Sequence, residues 1–251
     1  MVGAAARGRN GLCLQPRRRA SPPRSSLALA ATRRPRLLAG PRPGRLAPYG
    51  RVDDLAAALL EPAALRLPYS RSLGYSQNHD QVGNRAAGDR LSQLVDGDRQ
   101  RLAAALVLLS PFVPMLFMGE EWGASTPFLF FSDHRDPAVA AATSRGRMNE
   151  FRAFGWRPED VPDPQALSSF ERSKLDWSEP RREPHLSLLG WYRTLVERRR
   201  RLEEAALQVQ FSERQLTMRR GMLRVICDFE RRRVRVEEWR LRTHDRRLFG
   251  E

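Results

Sequence analysis

The chain has 251 residues, with 44 Lys or Arg against 29 Asp or Glu and a formal net charge of +15, which on its face suggests a nucleic-acid binder. The location of the charge excludes that reading for the body of the protein: residues 1–52 hold twelve arginines and no acid, and the other 199 carry a net of only +3. All the basic residues are Arg except Lys174, a bias that reads as GC-rich coding DNA rather than selection for phosphate contacts.

Residues 1–48 are Arg, Pro, Ala, Gly and Ser with almost no apolar periodicity, so a basic disordered leader is expected. Being Arg-rich, Ser-containing and free of acids, it resembles an organellar transit peptide and lacks the compact apolar region of a secretory signal. The alternative is a misplaced start codon or a reading-frame error. Order is expected from Tyr49, with a short helix over Asp53–Leu60 ended by Pro62.

Leu73–Gln77 reads as a brief strand that delivers the polar cluster Asn78-His79-Asp80-Gln81, and Gly83 and Gly88 mark a loop. Asp98 stands where an N-cap would, before Leu102, Leu106 and Leu109 at helical spacing. Val113–Met118 is a short continuous apolar run, the pattern of a strand buried on both faces. Strand, helix and strand in that order predict a βαβ unit. The stretch Leu102–Met118 is broken by Ser110, Pro111 and Pro114 and is too short to span a bilayer, which takes about 20 residues.

From Thr126 to Pro184 the chain is aromatic-rich and Pro-punctuated, with at most short helices expected, and so long a stretch is usually functional. Leu188, Trp191, Leu195 and Leu202 align on one face of a helix over 185–205, whose Arg198–Arg201 run reads as a solvated C-terminal end. Alternation at Leu216/Met218, Leu223/Val225/Cys227 and Val234/Val236 predicts short antiparallel strands. The two cysteines, Cys13 and Cys227, lie far apart, and His79, His134, His185 and His244 lack metal-ligand spacing, so neither a disulfide framework nor a zinc module is supported.

Asn78-His79-Asp80-Gln81 is the densest polar group directly after an apolar strand. At the C-terminal end of a barrel strand such residues face the active site, and a carboxylate there stabilises positive charge or holds sugar hydroxyls. The pattern alone favours a structural turn in which Asp80 caps and His79 is satisfied by backbone. Ser76 sits in a near miss to a nucleophile elbow, with Asn78 where glycine is required. Glu120 and Glu121 are adjacent and point apart on an extended chain, so they do not by themselves form the two-carboxylate arrangement of a glycosidase. The aromatics from Phe128 to Trp177 serve either packing or stacking on sugar rings.

The string from Gln77 to Arg85, followed by Gly88-Asp89-Arg90-Leu91, resembles the last conserved block of the alpha-amylase family of glycoside hydrolases. Leu109–Pro114, Phe117–Trp122, Pro127–His134, Glu150-Phe151, Phe154–Trp156, Val161–Gln165 and Phe170–Trp177 resemble, in order, the branch of that family that releases trehalose from malto-oligosyltrehalose. The resemblance covers roughly residues 49–205, and the tail to about 236 more loosely. It implies an α/β fold, the C-terminal part of a (β/α)8 TIM barrel over 49–205, then a truncated antiparallel β-domain, a partial β-sandwich, over 206–251.

The resemblance further implies a cytoplasmic retaining hydrolase with no cofactor, metal, membrane or nucleic-acid partner. Its substrate would be malto-oligosyltrehalose or a maltodextrin, cut at the α-1,4 bond next to the trehalose end, and its pathway partner the synthase that makes that substrate. Asp80 would be the transition-state stabiliser, His79 a hydrogen-bonding partner of sugar hydroxyls, and Asn78 and Gln81 members of the same substrate-binding subsite. Three alternatives remain: another glucan-active member such as a branching enzyme, against which the Phe170–Trp177 block argues; a non-catalytic glucan-binding piece; and a basic RNA- or DNA-binding protein acting through residues 1–52. Upstream of Asp80 nothing resembles the family's nucleophile or general-acid segments, so the chain alone is expected to be inactive.

Overall fold

The protein is described from a computed structural model covering residues 55–57, 59–60, 68–152, 155–202 and 206–238. The expectations placed on residues 1–54 therefore lie outside the described residues. Helical residues at 55–57 and 59–60 agree with the helix read before Pro62.

The first strand, β1 (Leu73–Gly74), is followed by the short helices α1 (His79–Gly83) and α2 (Leu91–Leu94), the long helix α3 (Gly97–Leu109), and β2 (Val113–Pro114). β1 and β2 pair in parallel, Leu73 opposite Val113 and Gly74 opposite Pro114, and the pairing extends outward through Val113 N–H to the Ser72 carbonyl and Met115 N–H to that of Gly74, both 2.9 Å. The predicted βαβ unit is thus present. Its strands are shorter than the apolar runs suggested, and the expected burial of Val113–Met118 on both faces is wrong: Val113, Leu116 and Met118 are about two-fifths exposed. Among the described residues no further strand joins this parallel pair.

α3 begins at Asp96, not Asp98. The Asp96 carboxylate accepts the Arg99 N–H at 2.9 Å, leaving Asp98 in the first turn, where a carboxylate favours the helix dipole. Every residue from Leu102 to Leu109 is buried. A helix apolar all round requires cover on each side. Leu55, Ala56 and Leu59, Phe112, Leu188, Tyr192 and Leu195 of α6 (His185–Arg200), and the inner face of a C-terminal sheet supply it in one continuous core.

That sheet is an antiparallel meander in the order β3 (Leu207–Phe211), β4 (Gln215–Arg220), β5 (Leu223–Asp228), β6 (Arg233–Glu238). Register places Val209, Met218, Val225 and Val236 in one row and Phe211, Leu216, Cys227 and Val234 in another. The last three strands match the alternation in the sequence. β3 was not anticipated, although Leu207, Val209 and Phe211 share its period of two.

The stretch 126–184 departs from expectation. It contains α4 (Pro137–Arg152), a helix of 16 residues, as well as the short α5 (Leu167–Arg172). α4 escapes a search for an apolar stripe because only Arg147 and Phe151 are buried. Its start is nonetheless written in the sequence, since Pro137 suits a first turn and Asp136 accepts Ala138 N–H at 2.8 Å.

The Arg198–Arg201 run is not simply a solvated end. Arg199 donates to the carbonyls of Leu108 (2.6 Å), Ser110 (2.7 Å) and Phe112 (2.6 Å), the groups left without partners where α3 stops and β2 begins, while Arg198 reaches the Val236 carbonyl at 2.7 Å. Replacing Arg199 by Met keeps the apolar stem and removes these bonds, so the unfolding free energy should fall by about 2 kcal/mol, measurable by chemical denaturation.

Candidate functional site

After β1 the chain runs through buried Tyr75 and Gln77 to Asn78, which turns it into α1. Asn78 Oδ1 accepts the Asp80 and Gln81 N–H groups at 2.8 and 3.2 Å, and Gln81 Oε1 accepts the Asn78 N–H at 2.8 Å. This reciprocal capping box is a structural duty for two of the four residues singled out in the sequence. It was Asn78, not Asp80, that caps the turn.

Capping leaves His79 and Asp80 as the outward pair. Their side chains are 73% and 59% exposed, with His79 Nε2 3.4 Å from Asp80 Oδ1. Such a pair offers a carboxylate and an imidazole side by side on a rigid turn, a combination suited to hydrogen-bonding vicinal hydroxyls and stabilising developing positive charge. The structure thus brings Asn78, His79, Asp80 and Gln81 into one turn in two roles, two side chains closing it and two presented.

The turn is fastened from behind. Arg147 of α4 donates to the carbonyls of Gly83 (2.6 Å) and Arg85 (3.2 Å) at the end of α1, and its guanidinium stacks on Phe130 and Phe151. Gly88 has φ +63°, and a side chain there would put its Cβ 2.5 Å from the Phe128 carbonyl oxygen, so the 126–131 segment approaches by virtue of that glycine. Arg90, almost wholly buried, donates to the carbonyls of Thr126 (2.6 Å) and Met118 (2.7 Å) and stacks on Phe117. Arg147 does not stand out by sequence, because in so Arg-rich a chain a single arginine carries little signal, and Arg90 is marked there only as part of the Gly88–Leu91 block.

The adjacent acids lie in a single 3-10 turn, Glu120–Trp122, rather than on the extended chain expected, and they differ in burial. Glu121 is half-buried, whereas Glu120 is buried and accepts the Ser76 hydroxyl (2.9 Å), the Tyr192 hydroxyl (3.0 Å) and the Phe117 N–H (3.3 Å). Burial pushes the Glu120 carboxyl above the ordinary carboxylate range, against the pull of these donors, and it also pushes the Tyr192 phenol up. Arg90, Glu121 and Glu179 are the other charged groups in electrostatic contact with this network. Glu179, also buried, receives the Trp122 indole N–H at 3.2 Å and the Ser125 hydroxyl.

The aromatic stretch is only partly buried: Phe151 is in the interior, whereas Phe130, Phe131, Phe170 and Trp177 are exposed. Phe117, Phe128, Phe131 and Phe170 form a chain of edge-to-face contacts with ring centroids 5.2–5.8 Å apart. Trp177 leans on buried Trp122 at 5.3 Å yet presents 71% of its surface. Among the described residues no group of three or more His, Cys, Asp or Glu could hold a metal ion, and no helix is long and apolar enough to cross a membrane.

Comparison with solved structures places this architecture beside the alpha-amylases: a crystal structure described as a putative alpha amylase from Salmonella typhimurium superposes with a TM-score of 0.55 at 38% identity, over 63% of this chain and 29% of that one. Among curated proteins, the malto-oligosyltrehalose trehalohydrolase of Arthrobacter ramosus is 52% identical over 163 residues, covering 63% of this chain and 28% of that protein. That of Rhizobium sp. (strain M-11) is 48% identical over 197 residues, 75% of this chain and 32% of its own length. Over most of the described residues the chain is thus similar to the malto-oligosyltrehalose trehalohydrolases, and it spans about three tenths of the length of those relatives. No protein-family profile matches it.

The raised Glu120 value has a sign that can be tested. The folded chain holds this proton more tightly than the unfolded chain does, so the associated stability is fully present below the ordinary carboxylate range and is lost as pH rises through the raised value. Chemical denaturation at a series of pH values should show, as pH rises above the ordinary carboxylate range, a smaller loss of stability in a Glu120→Gln variant than in the unmodified chain.

Proposed function

We propose that this chain carries the part of a retaining, trehalose-releasing hydrolase that grips the sugar beside the scissile bond. The substrate is malto-oligosyltrehalose, cleaved at the α-1,4 bond next to its trehalose end, and the surrounding architecture is the later strands of a (β/α)8 barrel followed by an antiparallel β-domain. In this reading Asp80 stabilises the oxocarbenium-like transition state, His79 hydrogen-bonds a hydroxyl of the adjoining glucose, and Asn78 and Gln81 hold the turn that presents both. The location is the cytoplasm, beside a synthase that supplies the substrate.

The observation that carries the proposal is the coincidence of two facts: the paired His79 and Asp80 are the outward side chains of a capped turn, and the sequence that contains them is about half identical to trehalohydrolases. The chain supplies one of the three acids of the reaction, because its upstream sequence contains no counterpart of the nucleophile or general-acid segments. A retaining mechanism lacking its nucleophile forms no glycosyl-enzyme, so the chain alone is expected to bind maltodextrin without cutting it.

The test is twofold. Calorimetric titration of the chain with malto-oligosyltrehalose should show binding that weakens on Asp80→Asn, and a full-length relative carrying the substitution equivalent to Asp80→Asn should lose on the order of 10³-fold or more in trehalose release while its melting temperature is kept. Near-normal turnover of that relative would refute the role given to Asp80.

A further inference from the structure

Of the two residues that lead into the candidate sugar-binding turn, Ser76 sends its side chain to a buried acceptor and Gln77 to the start of α2. Ser76 Oγ donates to the Glu120 carboxyl at 2.9 Å. Buried Gln77 accepts the Leu91 N–H at 2.9 Å. Glu120 is fixed in turn by the Phe117 N–H of its own loop and by the Tyr192 hydroxyl of α6. It follows Gly119, whose φ of +82° and close neighbours, Leu175 and Ala124 within 2.8 Å of a would-be Cβ, lock the bend that aims it. One buried acceptor thus joins the loop after β1, the loop after β2 and helix α6 immediately behind Asn78-His79-Asp80-Gln81.

We propose that Glu120 is a positioning residue, which sets where the His79–Asp80 pair stands by holding Ser76. The proposal rests on the function assigned above to that pair, but the positioning itself is a property of the fold. The site needs such a device because β1 is only two residues long and its ladder reaches no farther than the Gly74 carbonyl. Between Gly74 and the capping box at Asn78, the chain is held by side chains rather than by strand pairing. Glu120 does not touch substrate in this scheme; it acts through Ser76.

Hydrogen exchange on the full chain distinguishes positioning from general support of the core. Glu120→Leu fills the buried site with apolar volume and removes the acceptor, so exchange in residues 78–84 should speed up by at least about tenfold, the factor expected from losing one buried hydrogen bond. Segments 102–109 and 223–228 should change by less than about twofold. Glu120→Gln keeps an acceptor oxygen for Ser76 and should retain most of the protection, and Ser76→Ala should reproduce the effect of Leu.

Equal effects of Leu and Gln, or a loosening of all three segments together, would overturn the proposal. If Glu120→Leu does not fold, Ser76→Ala against Glu120→Gln decides it by the same criterion. Added maltotriose supplies the separate check on function. Failure of the unmodified chain to gain protection at 78–84 with this sugar counts against the reading of His79 and Asp80, and leaves the comparison of variants intact.

Discussion

The dominant constraint in this structure is the burial of α3. From Leu102 to Leu109 the helix has no polar face, so none of its sides can be left to water. Covering eight consecutive buried positions demands neighbours all round, and these are the elements that define the fold: the residues around Leu55 and Leu59, α6, and the meander. At roughly 25 cal/mol per Å² of apolar area, burial on this scale is a large favourable contribution. Because α3 is also the crossover between β1 and β2, fixing it fixes the parallel pair and thereby the point from which Asn78 to Gln81 project.

Arginine supplies the second layer of order. Arg199 and Arg220 converge on the carbonyls at the end of α3, Arg147 on those at the end of α1, and Arg90 on those of Thr126 and Met118. Each bonds carbonyls that no helix or strand partner reaches, in places where the backbone leaves regular structure. A planar guanidinium with five donors suits this work better than an ammonium. The abundance of arginine thus has local structural uses even where its origin lies in nucleotide composition.

How much of this was legible in the sequence depended on the kind of signal. α3, α6 and the last three strands could be read because their periodicity is set by one-sided or complete burial. α4 could not be read that way, because a helix that packs through one arginine and one phenylalanine leaves no stripe; its Asp136-Pro137 start was the only local mark. The turn at Asn78–Gln81 was found as a polar cluster, yet the division of labour within it required geometry. Asparagine and glutamine side chains serve a backbone cap or a sugar hydroxyl equally well, and only the hydrogen bonds show which. Glu120 and Tyr192 meet across 72 positions of sequence, a distance no local pattern spans.

The shared core has a further consequence for how the chain can vary. Met218, Val225 and Cys227 of the meander lie in the same apolar cluster as Leu106 and Leu195, so a recombination boundary placed near residue 206 would divide one packed volume between two parents. Volume changes on either side of that boundary would have to be matched across it, since packed interiors tolerate neither voids nor excess methylenes cheaply. Sheets exchanged between relatives should therefore travel with α3 and α6 as one heritable block. The outer hairpin turns, where Met222 is 60% exposed, are the places where sequence can drift independently.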